Sequence, residues 1–193
     1  VTKKGGSGKS TLLRSVAVAA FADGLNVVIL DTDPQRTAIK WSDRRRAEGH
    51  PALPVHAVEP HQIDAELKRL ARSGGPDLCL TDTPGTPDVG VAVAIEKADY
   101  CLIPVKPTID DAEAAIETAN QLRTRKRPFA FALTQCVGNQ ARLNEAAAGL
   151  LRHGEVAAGY VHNPVDYPDA HSLGLGVTEF NPKGSSAKEI ALL

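Results

Sequence analysis

The sequence predicts an α/β fold: a doubly wound, mostly parallel sheet with helices on both faces. Short apolar runs with the length of buried strands recur along the chain, and amphipathic helical patterns lie between most of them. Strand–helix–strand connections of this kind are right-handed and make neighbouring strands parallel. A chain of 193 residues is long enough for one domain with a sizeable core. We therefore expect a single domain over residues 1–193.

Six apolar runs are the predicted strands: 26–30, 53–58, 77–81, 100–105, 129–134 and 156–161. Two of the intervening segments have an apolar helical face. The residues on the first face are Ile63, Leu67, Leu70 and Ala71, and those on the second are Ala112, Ala115, Ile116, Ala119 and Leu122. Ligands of such a sheet bind beyond the carboxyl ends of its strands, so polar residues after an apolar run are the candidate site.

Composition excludes a general attraction to polyanions. Lys and Arg total 22 against 23 Asp and Glu, so any contact with DNA requires a local basic patch. Cys79, Cys101 and Cys136 each stand in an apolar run, where a buried and unreactive thiol is expected. Neither a metal-type cysteine cluster, a leader nor a long apolar segment is present in the sequence. We expect a cytoplasmic protein.

The segment 4–11, KGGSGKST, has the composition of a phosphate-binding loop. Its glycines allow backbone N–H groups to approach one anion, and the following helix adds partial positive charge. Lys9 would contact the β- and γ-phosphates, Ser10 would bind Mg²⁺, and Thr11 would reach the α-phosphate. The residues predicted to bind the nucleotide are Gly5, Gly6, Ser7, Gly8, Lys9, Ser10 and Thr11.

The standard pattern GxxxxGK[ST] requires glycine where this chain has Lys3, which leaves open a glycine-rich turn that binds nothing. Two acidic strand ends favour the nucleotide site. Asp82 follows the apolar run 78–81 and is placed to hold Mg²⁺, while Asp31 and Asp33 follow the run 27–30. The alternative for each carboxylate is a loop cap favoured by turn chemistry.

Three motifs resemble the ParA/MinD superfamily of deviant Walker A ATPases: the loop 4–11, the segment 31–35 (DTDPQ) and the segment 82–85 (DTPG). Trp41-Ser42 and the segment 102–107 (LIPVKP) are similar to the small ParF-like partition ATPases. That resemblance implies a P-loop NTPase fold with no N-terminal helix-turn-helix domain. It also implies ATP and Mg²⁺ as cofactors, and a homodimer that responds to a ParB/ParG-like centromere-binding protein.

The resemblance also implies roles for individual residues. Lys4 would reach across the dimer to the partner's nucleotide, Lys9 would act on the phosphates, and Asp33 would position the lytic water. Metal binding would fall to Ser10, Asp31 and Asp82. Adenine contacts would involve Thr134, Gln135 and Pro164. Relatives carry two arginines where this chain has Asn163 and Asp166, so DNA binding is not expected from that surface.

Two basic runs are candidate DNA contacts. Arg123, Arg125, Lys126 and Arg127 close a predicted helix that begins near Asp110, and we expect them to bind nonspecific DNA on the nucleoid. Basic residues at a helix C-terminus are also favoured by the helix dipole alone, so a purely solvated end is the alternative. The second run, 44–46, would serve DNA, a partner or only solvent.

DNA partition is therefore the expected function, with two alternatives. A MinD-like membrane-associated regulator would need a C-terminal amphipathic anchor, and residues 188–193 are too few to supply one, so no membrane contact is expected. A metabolic ATP-dependent enzyme would need a substrate pocket with convergent polar groups, and the sequence identifies none.

Overall fold

The structure, a computed structural model, describes residues 1, 6–85, 89–162 and 165–193. Its strands are β1 Val27–Asp31, β2 Val55–Ala57, β3 Leu78–Asp82, β4 Cys101–Val105, β5 Phe129–Leu133 and β6 Glu155–Val156. Its helices are α1 Lys9–Ala22, α2 Thr37–Ala47, α3 Ile63–Arg72, α4 Val89–Lys97, α5 Ile109–Thr124, α6 Gln140–Leu151, α7 Asp166–Ser172, α8 Val177–Phe180 and α9 Ser185–Ile190.

The strands form two parallel three-stranded sheets, ordered β2-β1-β3 and β4-β5-β6. In the first sheet Asp31 lies opposite Asp82, and in the second Val105 lies opposite Leu133. The carboxyl ends of neighbouring strands are therefore level. This arrangement confirms the predicted α/β class and brings the polar residues after the strands to one edge.

Successive side chains of β1 point to opposite faces of the sheet, which explains why helices pack on both faces. Val27 and Ile29 pack with α1 and α2, whereas Val28 and Leu30 pack with α3 and α4. The second sheet has the same construction, with α5 and α6 on one face and α1 with the C-terminal helices on the other. Helix α1 thus contacts both sheets, because Leu12 lies in the core of one and Val18 in that of the other.

Most predicted elements are confirmed, but β6 is much shorter than the predicted strand over 156–161. The N–H groups of Ala157 and Val161 still donate to Phe131 and Leu133, at 2.8 and 2.9 Å. Between them the chain leaves the sheet to pass α9, so closely that a Cβ on Gly159 would lie 2.6 Å from the Glu189 carbonyl oxygen. On the first predicted helical face Ala71 is exposed, contrary to expectation.

The cysteines behave as predicted from their apolar runs. Cys101 and Cys136 are buried and Cys79 is half-buried, and all three are free thiols. Burial raises the pKa of Cys79 and of Cys136 to about 11, so their thiols stay protonated at neutral pH. Among the described helices, none combines the length and apolar character needed to cross a bilayer.

Candidate functional site

The phosphate loop enters α1 through two glycines with positive φ. Gly6 has φ 73° and Gly8, the residue before α1, has φ 86°. Both are left-handed conformations that glycine adopts without a Cβ clash. The first N–H groups of a helix have no carbonyl partner within it, so the loop and α1 present donors suited to an anion. Lys4 and Gly5 lie outside the described residues.

The loop is attached to the end of β5. Thr134 Oγ1 donates to the Ser7 carbonyl at 2.9 Å, and Gln135 Nε2 donates to the Gly6 carbonyl at 2.7 Å. The sequence predicted that both residues contact adenine, but here their side chains contact the loop backbone. The third predicted adenine contact, Pro164, lies outside the described residues, and the adenine assignment stays a prediction.

Asp82 is the clearest candidate ligand for a cation. It ends β3 with 1% of its surface exposed, and among the described residues neither carboxylate oxygen has a hydrogen-bond partner. Burial raises the pKa of Asp82 to about 6; the nearby Ser10 hydroxyl opposes this shift and Asp31 adds to it. A buried carboxyl without a hydrogen-bond partner is costly, so Asp82 is suited to bind a ligand from outside the described residues.

Lys9 begins α1 beside this carboxyl. Burial lowers the pKa of its ammonium, while the charges of Asp82 and Asp33 act in the opposite direction. The structure thus brings together Lys9, Ser10, Asp33 and Asp82, as the motifs predicted. Carboxylate, hydroxyl and phosphate oxygens with water are the usual Mg²⁺ ligands, so Asp82 and Ser10 fit this ion.

The carboxylate of Asp31 is hydrogen-bonded to backbone N–H groups. It is fully buried, and its Oδ2 accepts from the N–H groups of Ala38 and Ile39 at 3.0 and 3.1 Å, while Oδ1 accepts from Asp33 N at 3.1 Å. These contacts fix the N-terminus of α2. The cap alternative therefore describes Asp31 well, and its metal role stays a prediction.

Asp33 is half-buried in the following loop. Its Oδ1 accepts from Gln35 N at 2.8 Å, which is an Asx turn. Thr32 between the two aspartates ties β1 to β3, since its hydroxyl donates to the Asp82 carbonyl at 2.7 Å. This tie sets Asp33 relative to Asp82.

Two arginines near the site were missed in the sequence. Arg14 donates from Nε to the Ser10 carbonyl at 2.9 Å, and burial lowers its pKa to about 10. Its position four residues after Ser10 in a helix was the available signal. Arg36 has φ 52° and binds the Asp31 carbonyl and the Glu59 carboxylate. No sequence pattern indicates that contact.

The first basic run is largely engaged with the protein itself. Arg123 donates to the His153 carbonyl at 2.6 Å, and Arg127 donates to the Glu96 and Ala98 carbonyls at 2.6 and 3.3 Å. The run precedes β5, at the sheet edge opposite the phosphate loop. Arg125 donates only to its own helix, at the Gln121 carbonyl 3.3 Å away among the described residues, and both Arg125 and Lys126 are exposed, so these two are the better candidates for a ligand contact.

The three arginines of the second basic run, 44–46, differ in burial. Arg45 is 1% exposed and forms a two-bond ion pair with Glu179, both bonds 2.7 Å long, whereas Arg44 and Arg46 are exposed. The predicted solvent, DNA or partner roles are therefore wrong for Arg45, because its guanidinium joins α2 to α8 inside the protein.

A family model described as the CobQ/CobB/MinD/ParA nucleotide binding domain matches residues 1–177. Maintenance of carboxysome distribution protein A of Gloeobacter kilaueensis is 33% identical over 119 residues, which cover 61% of this chain and 52% of that protein. Protein ParA of Rhizobium radiobacter is 29% identical over 119 residues, 58% of this chain and 49% of that protein. The chain spans about half the length of these curated relatives.

Solved structures show the same fold at low identity. The MinC:MinD cell division protein complex of Aquifex aeolicus matches with a TM-score of 0.78 and 18% identity, over 98% of this chain and 90% of that chain. Apo McdA of Cyanothece matches with a TM-score of 0.73 and 15% identity, over 100% of this chain and 95% of that chain. The family model covers most of the chain, and the parallel sheets and the loop before α1 agree with it. The chain therefore belongs to the CobQ/CobB/MinD/ParA nucleotide-binding family.

Proposed function

We propose that the chain is a Mg²⁺-dependent ATPase of DNA partition, in which ATP closes a homodimer that binds nonspecific DNA on the nucleoid. A ParB/ParG-like centromere-binding protein would stimulate hydrolysis and release the DNA. The observation that carries the ATPase is Asp82, buried with both carboxylate oxygens unpartnered among the described residues, beside Lys9 and Ser10. Partition is favoured because three motifs of the chain resemble the ParA/MinD superfamily and a protein named ParA is among the relatives.

Different residues of the chain have different roles in the proposed reaction. The loop N–H groups and Lys9 bind the phosphates, and Ser10 and Asp82 hold the ion, which neutralises phosphate charge when bound. Asp33 faces the same site from the loop after β1 and would orient the attacking water. The low exposure of Asp82 keeps bulk water from its carboxylate.

Exposed aliphatic side chains support a dimer that closes over this edge. Ile109, Val137 and Val165 are 78, 71 and 72% exposed, and each follows a strand or bridge at the carboxyl edge of the second sheet. Large apolar side chains grouped at one edge are typical of a protein interface. Lys4, which lies outside the described residues, is proposed to reach the partner's nucleotide.

The membrane alternative has less support. Helix α9 buries Ala187 and Ile190 against the core, so this segment does not present a free apolar face to a lipid surface. A metabolic enzyme would need a second substrate site next to the phosphate loop, and no contact in the described residues favours one.

Two measurements made together test the proposal: molecular mass by light scattering, and binding of nonspecific duplex DNA. Each is made with ATP–Mg²⁺, with ADP–Mg²⁺ and without nucleotide. We expect a dimer that binds DNA only with ATP. Lys9→Ala should bind no nucleotide and remain monomeric, whereas Lys40→Ala, an exposed lysine of α2, should behave like the wild type. Hydrolysis without an ATP-dependent dimer or DNA binding would contradict partition, and ATP-dependent binding to liposomes would favour the membrane alternative.

A further inference from the structure

Two successive residues after β5 hold two successive carbonyls of the phosphate loop. Thr134 binds the Ser7 carbonyl and Gln135 binds the Gly6 carbonyl, at 2.9 and 2.7 Å. In a trans peptide unit the N–H group points opposite to the carbonyl. Fixing these carbonyls therefore fixes the N–H groups of Ser7 and Gly8, which point away from the end of β5. The direction of these donors decides whether the loop can bind an anion.

The backbone around Gln135 is itself held in place. Gln135 has φ 50°, a left-handed conformation that residues other than glycine, asparagine and aspartate seldom adopt. On either side, Thr134 N donates to the Val105 carbonyl at 2.9 Å and Cys136 N donates to the Val161 carbonyl at 3.0 Å. The sheet thus supplies a rigid base, and a conformation of this kind persists only where its surroundings impose it.

We propose that Thr134 and Gln135 are positioning residues that hold the phosphate loop in its anion-binding shape, and that Gln135 acts on phosphate affinity and not on recognition of the base. This inference rests on the proposed nucleotide function. It gives both side chains a role different from the adenine contact that the sequence predicted. A contact to the loop backbone affects every nucleotide equally, whereas a contact to the base discriminates among bases.

The test compares dissociation of fluorescent N-methylanthraniloyl ADP and GDP by stopped flow. Gln135→Met keeps the side-chain length without a donor, and Thr134→Val keeps the shape without the hydroxyl. Loss of one neutral hydrogen bond should speed dissociation of both nucleotides by the same factor, roughly two- to tenfold. Gln140→Met is the matched control, because the Gln140 side chain donates to the Asn144 side chain, at 2.9 Å, and the contact lies within α6.

Gln135→Gly separates positioning from folding. Glycine accepts the φ of 50° without strain, so this variant should keep the wild-type melting temperature and still release both nucleotides as fast as Gln135→Met. Unchanged dissociation in Gln135→Met and Gln135→Gly would overturn the inference. Faster release of the ADP analogue alone would overturn it in favour of a base contact. A wild-type chain that binds neither nucleotide would refute the proposed function itself.

Discussion

Asp31 and Asp33 stand two positions apart but have different environments. Asp31 is fully buried and accepts from three backbone N–H groups, whereas Asp33 is half-buried and accepts from one. A carboxylate that is already saturated by the backbone is suited to hold structure, and one with an open oxygen is suited to contact water. At the scale of the residue, Asp33 is therefore the better candidate for orienting the attacking water.

Asp33→Ala should keep ATP binding and dimerisation and lower turnover by at least about 100-fold, the usual contribution of a group that orients or deprotonates water. Phosphate release and fluorescent-nucleotide binding, measured on the same sample, separate the two effects. Asp43→Ala, which removes an exposed carboxylate on α2, should leave turnover unchanged. Wild-type turnover by Asp33→Ala would remove the role from this residue.

His171 should make stability depend on pH. Burial, and then the charges of Arg14 and Arg44, lower its pKa from 6.5 to about 3, so the folded state holds the neutral imidazole. The unfolded chain takes up a proton near pH 6.5, and the stability from His171 is therefore full above that pH and declines as pH falls towards 3. Between pH 7.5 and 5.5 the loss from this residue is about 1.4 kcal/mol.

Between pH 7.5 and 5.5 the unfolding free energy of His171→Gln should fall by about 1.4 kcal/mol less than that of the wild type. Urea denaturation at the two pH values measures both changes. The comparison of variant with wild type isolates His171, because Asp82 titrates in both proteins. An identical pH dependence in the two proteins would show that the buried imidazole does not stay neutral.

At the scale of the element, α2 joins the nucleotide edge to the C-terminal helices. Asp31 holds its N-terminus, Trp41 Nε1 donates to the Leu175 carbonyl at 3.2 Å, and Arg45 binds Glu179 near its C-terminus. The contact is close, since a Cβ on Gly174 would lie 2.3 Å from Arg45 N. These contacts join α2 to α8 and to the segment between α7 and α8.

Arg45→Met should lower the unfolding free energy by about 3 kcal/mol, because it leaves the Glu179 carboxylate without its charged partner. Urea denaturation measures the loss. Arg46→Met is the control on the next residue, where the side chain is 75% exposed and a change within about 0.5 kcal/mol is expected. Equal effects at the two positions would contradict the structural role of the Arg45 ion pair.

The C-terminal end of α5 gives a prediction about DNA. Arg123 and Arg127 donate to carbonyls of other segments, whereas Arg125 donates to the Gln121 carbonyl of its own helix and Lys126 is exposed, so Arg125 and Lys126 are the better candidates to neutralise phosphates. Arg125→Ala/Lys126→Ala should reduce the salt slope of ATP-dependent DNA binding by about 1.8 per protomer. Lys68→Ala/Arg72→Ala removes the same charge from α3 and should leave the slope unchanged. An unaltered slope in the first variant would mean that this run only caps the helix.

At the scale of the whole molecule, the candidate site is built from both sheets. Asp82 ends β3 and Asp33 follows β1, both in the first sheet, whereas Thr134 and Gln135 follow β5 of the second and contact the loop. Helix α1, which carries Lys9, packs on both sheets. If the loop binds phosphate as proposed, its shape depends on contacts with both sheets.

The proposed contact of Lys4 is with a second molecule of the chain. Lys4→Ala should bind the ADP analogue within about twofold of the wild type but stay monomeric with ATP, since a charge-assisted contact is lost at both symmetric sites. Light scattering with ATP–Mg²⁺ measures the dimer, and Lys40→Ala again serves as the control. Equal losses of nucleotide binding and dimerisation would contradict the contact across the dimer.

Local patterns in the sequence predict the class of the fold and the residues that the structure groups at the candidate phosphate site. Apolar runs and helical faces are local patterns, and the run GKST with acidic strand ends is local chemistry, so Lys9, Ser10, Asp33 and Asp82 were found before the structure. The same locality explains the wrong boundary of β6: Val156 and Val161 are both apolar, but only contacts with α9 make the chain leave the sheet between them.

Only the tertiary structure decided what the polar side chains contact. In the sequence Arg45 belongs to a basic run, but in the structure it pairs with Glu179, which is 134 residues away. Gln135 is predicted to contact adenine, which stays a prediction, and its side chain binds the Gly6 carbonyl 129 residues away. Such partners are brought together by the parallel sheets and their helices, and a sequence pattern that extends over one helix or strand carries no information about them.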